Sequence, residues 1–425
     1  MSKLYLGVKK VDITPKIGCR MLGYMPDLLS EEIHDPLDAT AFVFQSGEQK
    51  SVLICSAVCA IDKALGDAVR EKIEQQTGIP FSNIMVTAIH THTGPATALG
   101  VDWDYCDNIF IPQVLEAVKQ ANAAMQPVTV GYACGDSRVG INRRERTIKN
   151  KVVLGQNPWG PFDPRMTVIT FQNEENKVVA TLIHYGAHAT ASGIVPTISQ
   201  DWPGVMIRRI EALSDAPAAF INGCIGDVGP RLTCGKTLAD IPYAEELGGV
   251  AAQDAVKIFK TISLHTDCDM KVATALVSLP VKARMPLAEA QEKLAHCAIS
   301  KYDSDILIRK HYADVVQSYE DPNFEEEKHR TTAQTILRIG NLVLLGFSYE
   351  LFSEIGLRIQ KACKDLVVLP VTNVNSCEGY FPTQSELCVG GYEVQMFEVK
   401  NLQKFVDDVD YHLICGSLEN IQKVL

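Results

Sequence analysis

The stretch Asn83-Ile84-Met85-Val86-Thr87-Ala88-Ile89-His90-Thr91-His92-Thr93-Gly94-Pro95 decides how this chain is read. An apolar, partly β-branched run leads into the dyad His90-Thr91-His92, and Gly94-Pro95 breaks it. The run therefore reads as a buried strand that stops there. Side chains alternate across a strand, so His90 and His92 are expected on one side, where strand gives way to loop. Two imidazoles there suit metal binding or acid/base chemistry. They equally suit a polar strand end with two solvated histidines. A His-x-His pair does not establish a metal until distant ligands join it.

On one flank, Ser51–Ala60 is an apolar strand, and a helix over Ala64–Gln76 stops at Thr77-Gly78-Ile79-Pro80. On the other, a helix covers Ile111–Ala124. Thr167–Phe171 and Val178–His184 read as a hairpin across Asn173–Asn176. Pro203–Leu213 reads as a helix, Ala218–Asn222 as a strand, Tyr243–Ile262 as a helix and Lys271–Ala283 as a strand. Leu287–Lys301 and Ile306–Tyr319 form a helical insert, about 286–330, whose charge density near Glu320–Arg330 suggests a lid. Thr332–Phe347 gives two strands, Leu351–Lys364 a helix, Val367–Val374 a buried strand, and a helical segment runs to Leu425. Strands alternating with helices predict an α/β fold. The expected form is a layered mixed β-sheet domain with flanking helices, with any metal site at strand ends. No sequence repeat and no linker is evident, so residues 1–425 are expected to form one domain.

Composition narrows the function. A net charge of −11 argues against nucleic acid or anionic membranes as partners. No window approaches the ~20 apolar residues of a membrane span. The N-terminal residues read as strand rather than secretory signal, and the thirteen cysteines contain no Cys-x-x-Cys pair. A cytoplasmic location with reduced thiols is expected.

Other candidates are scattered along the chain. His184 and His188 form a second histidine pair; each alone is more often a hydrogen-bonded structural residue than a ligand. Asp201 precedes Trp202-Pro203-Gly204 and reads first as a helix cap. Asp227 sits in a Gly-flanked turn, where an Asx turn competes with a supporting role. Glu350 follows an apolar strand, placed either to meet a ligand or to favour a helix start. Arg143, in Asn142-Arg143-Arg144, is a surface charge or an anion clamp. Tyr380 and Tyr392 lie in Gly/aromatic-rich loops, with packing as the default.

Taken in order, these segments resemble the neutral (non-lysosomal) ceramidase family. Val11-Asp12-Ile13-Thr14-Pro15 and His34-Asp35-Pro36-Leu37 are similar to its opening segments. His90-Thr91-His92-Thr93-Gly94-Pro95 is close to its His-Thr-His-Ser-Gly-Pro, and Ile141-Asn142-Arg143 to its Ile-Asn-Arg. His188-Ala189-Thr190 is similar to its His-Pro-Thr, Gly226-Asp227-Val228-Gly229-Pro230 to its Gly-Asp-Val-Ser-Pro, and Gly379-Tyr380 and Tyr392-Glu393 to its tyrosine loops. The resemblance implies one zinc ion held by His90, His188, Glu350 and Tyr380. It implies substrate contacts from His92, Arg143 and Tyr392, with Asp201 or Asp227 orienting a ligand histidine from behind. His92 would shuttle the proton while Arg143 and Tyr392 hold the oxyanion.

Two departures shape the expectation. The family's serine in Gly-Asp-Val-Ser-Pro is Gly229 here, which rules out a serine nucleophile at this position. The chain also ends soon after the second tyrosine loop, so the family's C-terminal β-sandwich domain is expected to be missing. The reading is a zinc-dependent hydrolase of a non-peptide C–N bond in a small N-acylated substrate, without stable membrane insertion. A zinc esterase or lactonase, or an inactive ligand-binding relative, is the alternative. Homo-oligomerisation stays open, as does the choice among divalent metals.

Overall fold

The structure, a computed structural model, describes residues 3–24, 27–149, 151–231, 240–297 and 303–425. Among these residues one connection pattern occurs three times: an antiparallel meander of three strands, a helical crossover, then a fourth strand parallel to the third. The first unit is Leu4–Asp12, Asp38–Ser46, Gln49–Ser56, helix Lys63–Thr77 and Ile84–Ala88. The second is Thr129–Asp136, Arg165–Gln172, Val178–Tyr185, helix Asp201–Ser214 and Ala218–Asn222. The third is Met270–Pro280, His329–Ile339, Leu342–Gly346, helix Ser353–Ala362 and Val367–Val371. No sequence repeat is evident, and the repetition lies instead in the backbone topology.

Local chemistry explains each unit. The third strand carries a long apolar run because it is buried between neighbours, whereas the first is only partly covered. In the first crossover Asp62 caps the helix by accepting the Ala64 amide, and Gly78 ends it at φ 70°. The inner faces of all three sheets share one core, with Phe42 and Phe44 of the first packed on Phe171 of the second and with Met270, Leu337 and Leu369 of the third. Helices cover the outer faces. The C-terminal ends of the parallel strands meet at one place. There the Asn222 side chain donates to the Ile89 carbonyl (2.5 Å), and the Thr372 amide donates to the Asn222 carbonyl (3.1 Å).

The expected mixed α/β fold with flanking helices is present. Element boundaries shift by a few residues: the helix anticipated over Leu287–Lys301 covers Leu287–His296, and 298–302 lie outside the described residues. The insert occupies the third unit's long connection between first and second strands. The same connection in the second unit carries Arg143, and in the first Gly23 and Tyr24. Among the described residues no helix is long and apolar enough to cross a membrane.

The loop after Val367–Val371 is tied to the first unit by Asn375, whose side chain accepts the Val86 amide (2.8 Å) while its own amide donates to the Val86 carbonyl (2.8 Å). Removing that acceptor leaves a buried N–H unpaired. Asn375→Ala is expected to lower unfolding free energy by about 1–3 kcal/mol in chemical denaturation. Unchanged stability would show that this tie does not hold the units together.

Candidate metal centre

The three units send equivalent loops to their meeting point. Three or four residues beyond the third strand stand Cys59 in the first unit, His188 in the second and Glu350 in the third. Beyond the fourth strand stand His90 and His92, then Asp227 and Gly229, then Asn373 and Tyr380. The dyad does not reach the centre by strand alternation. Its strand ends at Ala88, and His90 adopts φ 67°. Thr91 bridges Ala189 in parallel, which lays His92 beside the loop of His188. The two imidazoles converge as expected, but through a turn.

All three histidines are held the same way. Nδ1 of His90 faces the Cys59 carbonyl (2.7 Å), Nδ1 of His188 the Val228 carbonyl (3.1 Å) and Nδ1 of His92 the Gly23 carbonyl (3.1 Å). A carbonyl can only accept, so each Nδ1 carries the proton and each Nε2 turns a lone pair inward. His90 and His92 bring Nε2 to 3.1 Å of one another. Glu350 Oε2 lies 3.5 Å from Nε2 of His90 and 3.2 Å from Nε2 of His188. Neither Glu350 Oε2 nor His188 Nε2 has a hydrogen-bond partner. Burial disfavours the Glu350 charge and the Arg143 cation favours it; protonated His90 and His188 would hold the carboxyl well below its usual range, whereas their neutral forms leave Arg143 as the favourable charge. Burial, helped by Arg143 and His90, pushes His188 down to about 3. His90 is lowered too, chiefly by burial, and His92 by burial and its two imidazole neighbours. Lone pairs and a carboxylate facing each other without a proton repel unless a cation lies among them. The donor set of His90, His188 and Glu350, with ligand atoms within 4.8 Å of one another, fits a divalent ion.

Tyr380 pairs in register with Glu350 on adjacent short strands, and its ring lies 6.5 Å from that of His188. Tyr392 packs 5.8 Å from Tyr380, and the Arg143 guanidinium sits 5.3 Å from the Tyr380 ring. Burial opposes the Arg143 charge, yet Tyr380, Glu393 and Glu350 raise its pKa and keep it cationic. Two glycines make room: a Cβ at Gly23 would stand 2.5 Å from His92, and one at Gly226 would stand 2.4 Å from the Glu350 carbonyl.

Several sequence candidates lie elsewhere or act differently. Asp201 is the first residue of its helix, not its cap, and touches no imidazole. Its carboxylate accepts from Ala191 N, Ser192 N and Ser192 Oγ, while Trp202 Nε1 donates to the His188 carbonyl, so together they fix the loop after His188. Asp227 likewise contacts no histidine: it accepts from Ser353 N, Ser353 Oγ and Asn142 Nδ2, joining the Arg143 strand to the helix after Glu350. Orientation of the ligand histidines falls to backbone carbonyls instead. His184 bonds the Pro370 carbonyl (2.7 Å), away from the centre. Sequence reasoning missed Cys59, Gly23 and Glu393, because nothing local marks them.

The N-terminal family profile of the neutral/alkaline non-lysosomal ceramidases matches residues 4–242. Neutral ceramidase A of Dictyostelium discoideum is 27% identical over 272 residues, 56% of this chain and 37% of that protein. The neutral ceramidase of Pseudomonas aeruginosa is 23% identical over 249 residues, 53% of this chain and 37% of that protein. The matched region thus spans about a third of these curated relatives' length. The crystal structure of neutral ceramidase from Pseudomonas aeruginosa superposes with a TM-score of 0.74 at 18% identity, covering 100% of this chain and 75% of that one. The likeness extends the common fold past the profile, through Glu350, Tyr380 and Tyr392.

A cation among these donors gives a direct expectation. Purified protein should carry a divalent metal that elemental analysis detects, and Glu350→Gln should lose it while keeping its circular dichroism. Full metal content in Glu350→Gln would move the site elsewhere.

Proposed function

The chain belongs to the neutral/alkaline non-lysosomal ceramidase family, and from that premise we propose a metal-dependent hydrolase that cleaves the amide bond of an N-acylated compound. The observation that carries this reading is the inward convergence of three Nε2 lone pairs and the unpartnered Glu350 Oε2. His90, His188 and Glu350 would hold the ion, with Tyr380 beside them as the fourth ligand. A divalent ion such as zinc supplies Lewis acidity there, polarising a carbonyl and lowering the pKa of water toward 7.

The chain's own groups supply the rest. His92 is half-buried at the edge of the centre, and the Gly23 carbonyl fixes its tautomer with Nε2 free. It takes a proton from the attacking water and returns it to the leaving amine nitrogen. Arg143, held cationic, and Tyr392, whose ring is partly exposed, face the developing oxyanion, an effect often worth about 3 kcal/mol per donor. At Gly229 there is no side-chain nucleophile, and a Cβ there would stand 3.3 Å from the Cβ of Arg143. A serine here would press on Arg143, which would have to give way by a few tenths of an ångström.

Ceramide, named by the relatives, and shorter N-acyl amines are the substrates this reading supports. A reducing compartment fits as well, since the twelve described cysteines are all free.

The test is amine release from an N-acyl panel running from short amides to ceramide, with and without a chelator. Chelator-sensitive release is expected. No release from any member by metal-loaded protein would overturn the reading in favour of ester hydrolysis or ligand binding. Within an active panel, His92→Ala should lower kcat by about 10²–10⁴-fold and retain its metal. Gly229→Ser should bring no gain in rate; a large gain would restore a serine role.

A further inference from the structure

The threefold pattern puts Cys59 in the position that His188 and Glu350 hold in the other two units, and both of those residues face the centre. Cys59 is buried, with 4% of its surface exposed, and follows its strand in the same way. Its sulfur, one nitrogen of His90 and one of His92 also lie within 4.8 Å of one another. A second thiol stands close by: Cys377 packs against the small apolar cluster of Leu22, Cys59, Ala60, Ala96 and Ala98. The Cys377 S–H points at Glu350 Oε1, at 3.7 Å. Cys377 therefore belongs to the carboxylate side of the centre and Cys59 to the dyad side.

We propose that the centre contains a second, thiophilic cation seat, built from Cys59, His90 and His92, that competes with the His90–His188–Glu350 set. Competition follows from His90. Its Nδ1 is committed to the Cys59 carbonyl, which leaves one lone pair for two ligand groups. The two sets differ in softness. One offers two imidazoles and a carboxylate, suited to zinc or harder divalent ions; the other offers two imidazoles and a thiol, suited to cadmium or monovalent copper. As the metal–sulfur bond forms, the Cys59 thiol loses its proton to solvent, and no oxidant is required. A soft ion in this seat takes the Nε2 lone pair that His92 would use for proton transfer. The seat is therefore inhibitory, and the cation's softness selects between an active and a silent centre. The inference rests on the metal reading of the centre, but not on the reaction assigned to it.

Cadmium titration of the metal-free full chain tests it, read as the thiolate-to-cadmium charge-transfer absorbance. Wild type is expected to show the band. Glu350→Gln should keep it, because the carboxylate is not in the soft set, although that variant loses zinc. Cys377→Ser should also keep it. Cys59→Ser should lose it while retaining native circular dichroism and zinc uptake, with Cys59→Ala as the second variant should the serine misfold. A band that survives both Cys59 variants, or one that vanishes in Glu350→Gln, overturns the proposal. Cadmium-loaded wild type should release no amine from a substrate that the zinc form turns over. Where the zinc form turns over nothing, the hydrolase reading fails, while the absorbance still decides the seat.

Discussion

A carboxylate buried among imidazole lone pairs is the constraint on which the rest of this structure depends. Glu350 is buried, ionised and bounded by Nε2 atoms that carry no proton. Removing such a charge from water without a partner costs several kcal/mol, and neighbouring lone pairs add repulsion instead of relief. Ordinary proteins resolve that conflict by protonating a histidine. Here burial pushes all three imidazoles down and keeps them neutral, while backbone carbonyls of Cys59, Val228 and Gly23 place the one remaining proton on the outer nitrogen. The strain is thus kept in reserve for a cation, and the backbone around the centre exists to hold it.

That backbone is the threefold arrangement. In each unit a parallel third and fourth strand end side by side, and the loops beyond them leave the sheets at the same level. Ligand-bearing loops at the carboxyl ends of parallel strands are a general outcome of α/β crossovers, since the helix must start there. Three such ends sharing one core produce a centre whose donors come from residues 90, 188 and 350, far apart in sequence. The parts that differ between the units are the long connections. One supplies the Gly23 carbonyl, one supplies Arg143, and one becomes the helical insert. Specialisation has gone into those connections while the strand ends kept a common geometry.

What could be read from the chain follows from this division. Apolar runs and 3.6-residue periodicity exposed nearly every element of the third and fourth strands and the crossovers between them, because burial on both faces writes itself into local sequence. The first strands of the second unit, at Thr129–Asp136, and the second strand of the first unit, at Asp38–Ser46, escaped notice among less regular patterns. The threefold repetition escaped entirely. Equivalent positions carry Cys59, His188 and Glu350, three unlike residues, so topology repeats where sequence does not. For the centre, motif order picked out His90, His188 and Glu350, whose ligand atoms the structure gathers within 4.8 Å of one another. It could not reveal that Asp201 and Asp227 brace loops instead of histidines, since each carboxylate's partner depends on three-dimensional contact with Ser192 or Ser353.

The rim is built on a different principle from the core beneath it. Glu393, buried, receives Nε of Arg143 at 3.0 Å and also bonds Arg144, whose remaining nitrogens reach Glu386 and the Gly390 carbonyl. Tyr392 is the residue next to this carboxylate, at the start of the helix Tyr392–Val399. One buried charge therefore orients the guanidinium and anchors the tyrosine that would face the same oxyanion. A hydrophobic contact could have held the helix more cheaply, because buried ion pairs rarely add stability over apolar packing. What ion pairing adds is direction: Glu393 gives one carboxylate oxygen to Nε of Arg143 and the other to Arg144, and a charge-assisted hydrogen bond of that kind restricts where the Arg143 guanidinium points. On the far side the same helix meets the insert, where His311 bonds Asn401 and Asp314 receives the Asn401 side chain. The insert is thus coupled to the rim through the helix that carries Tyr392.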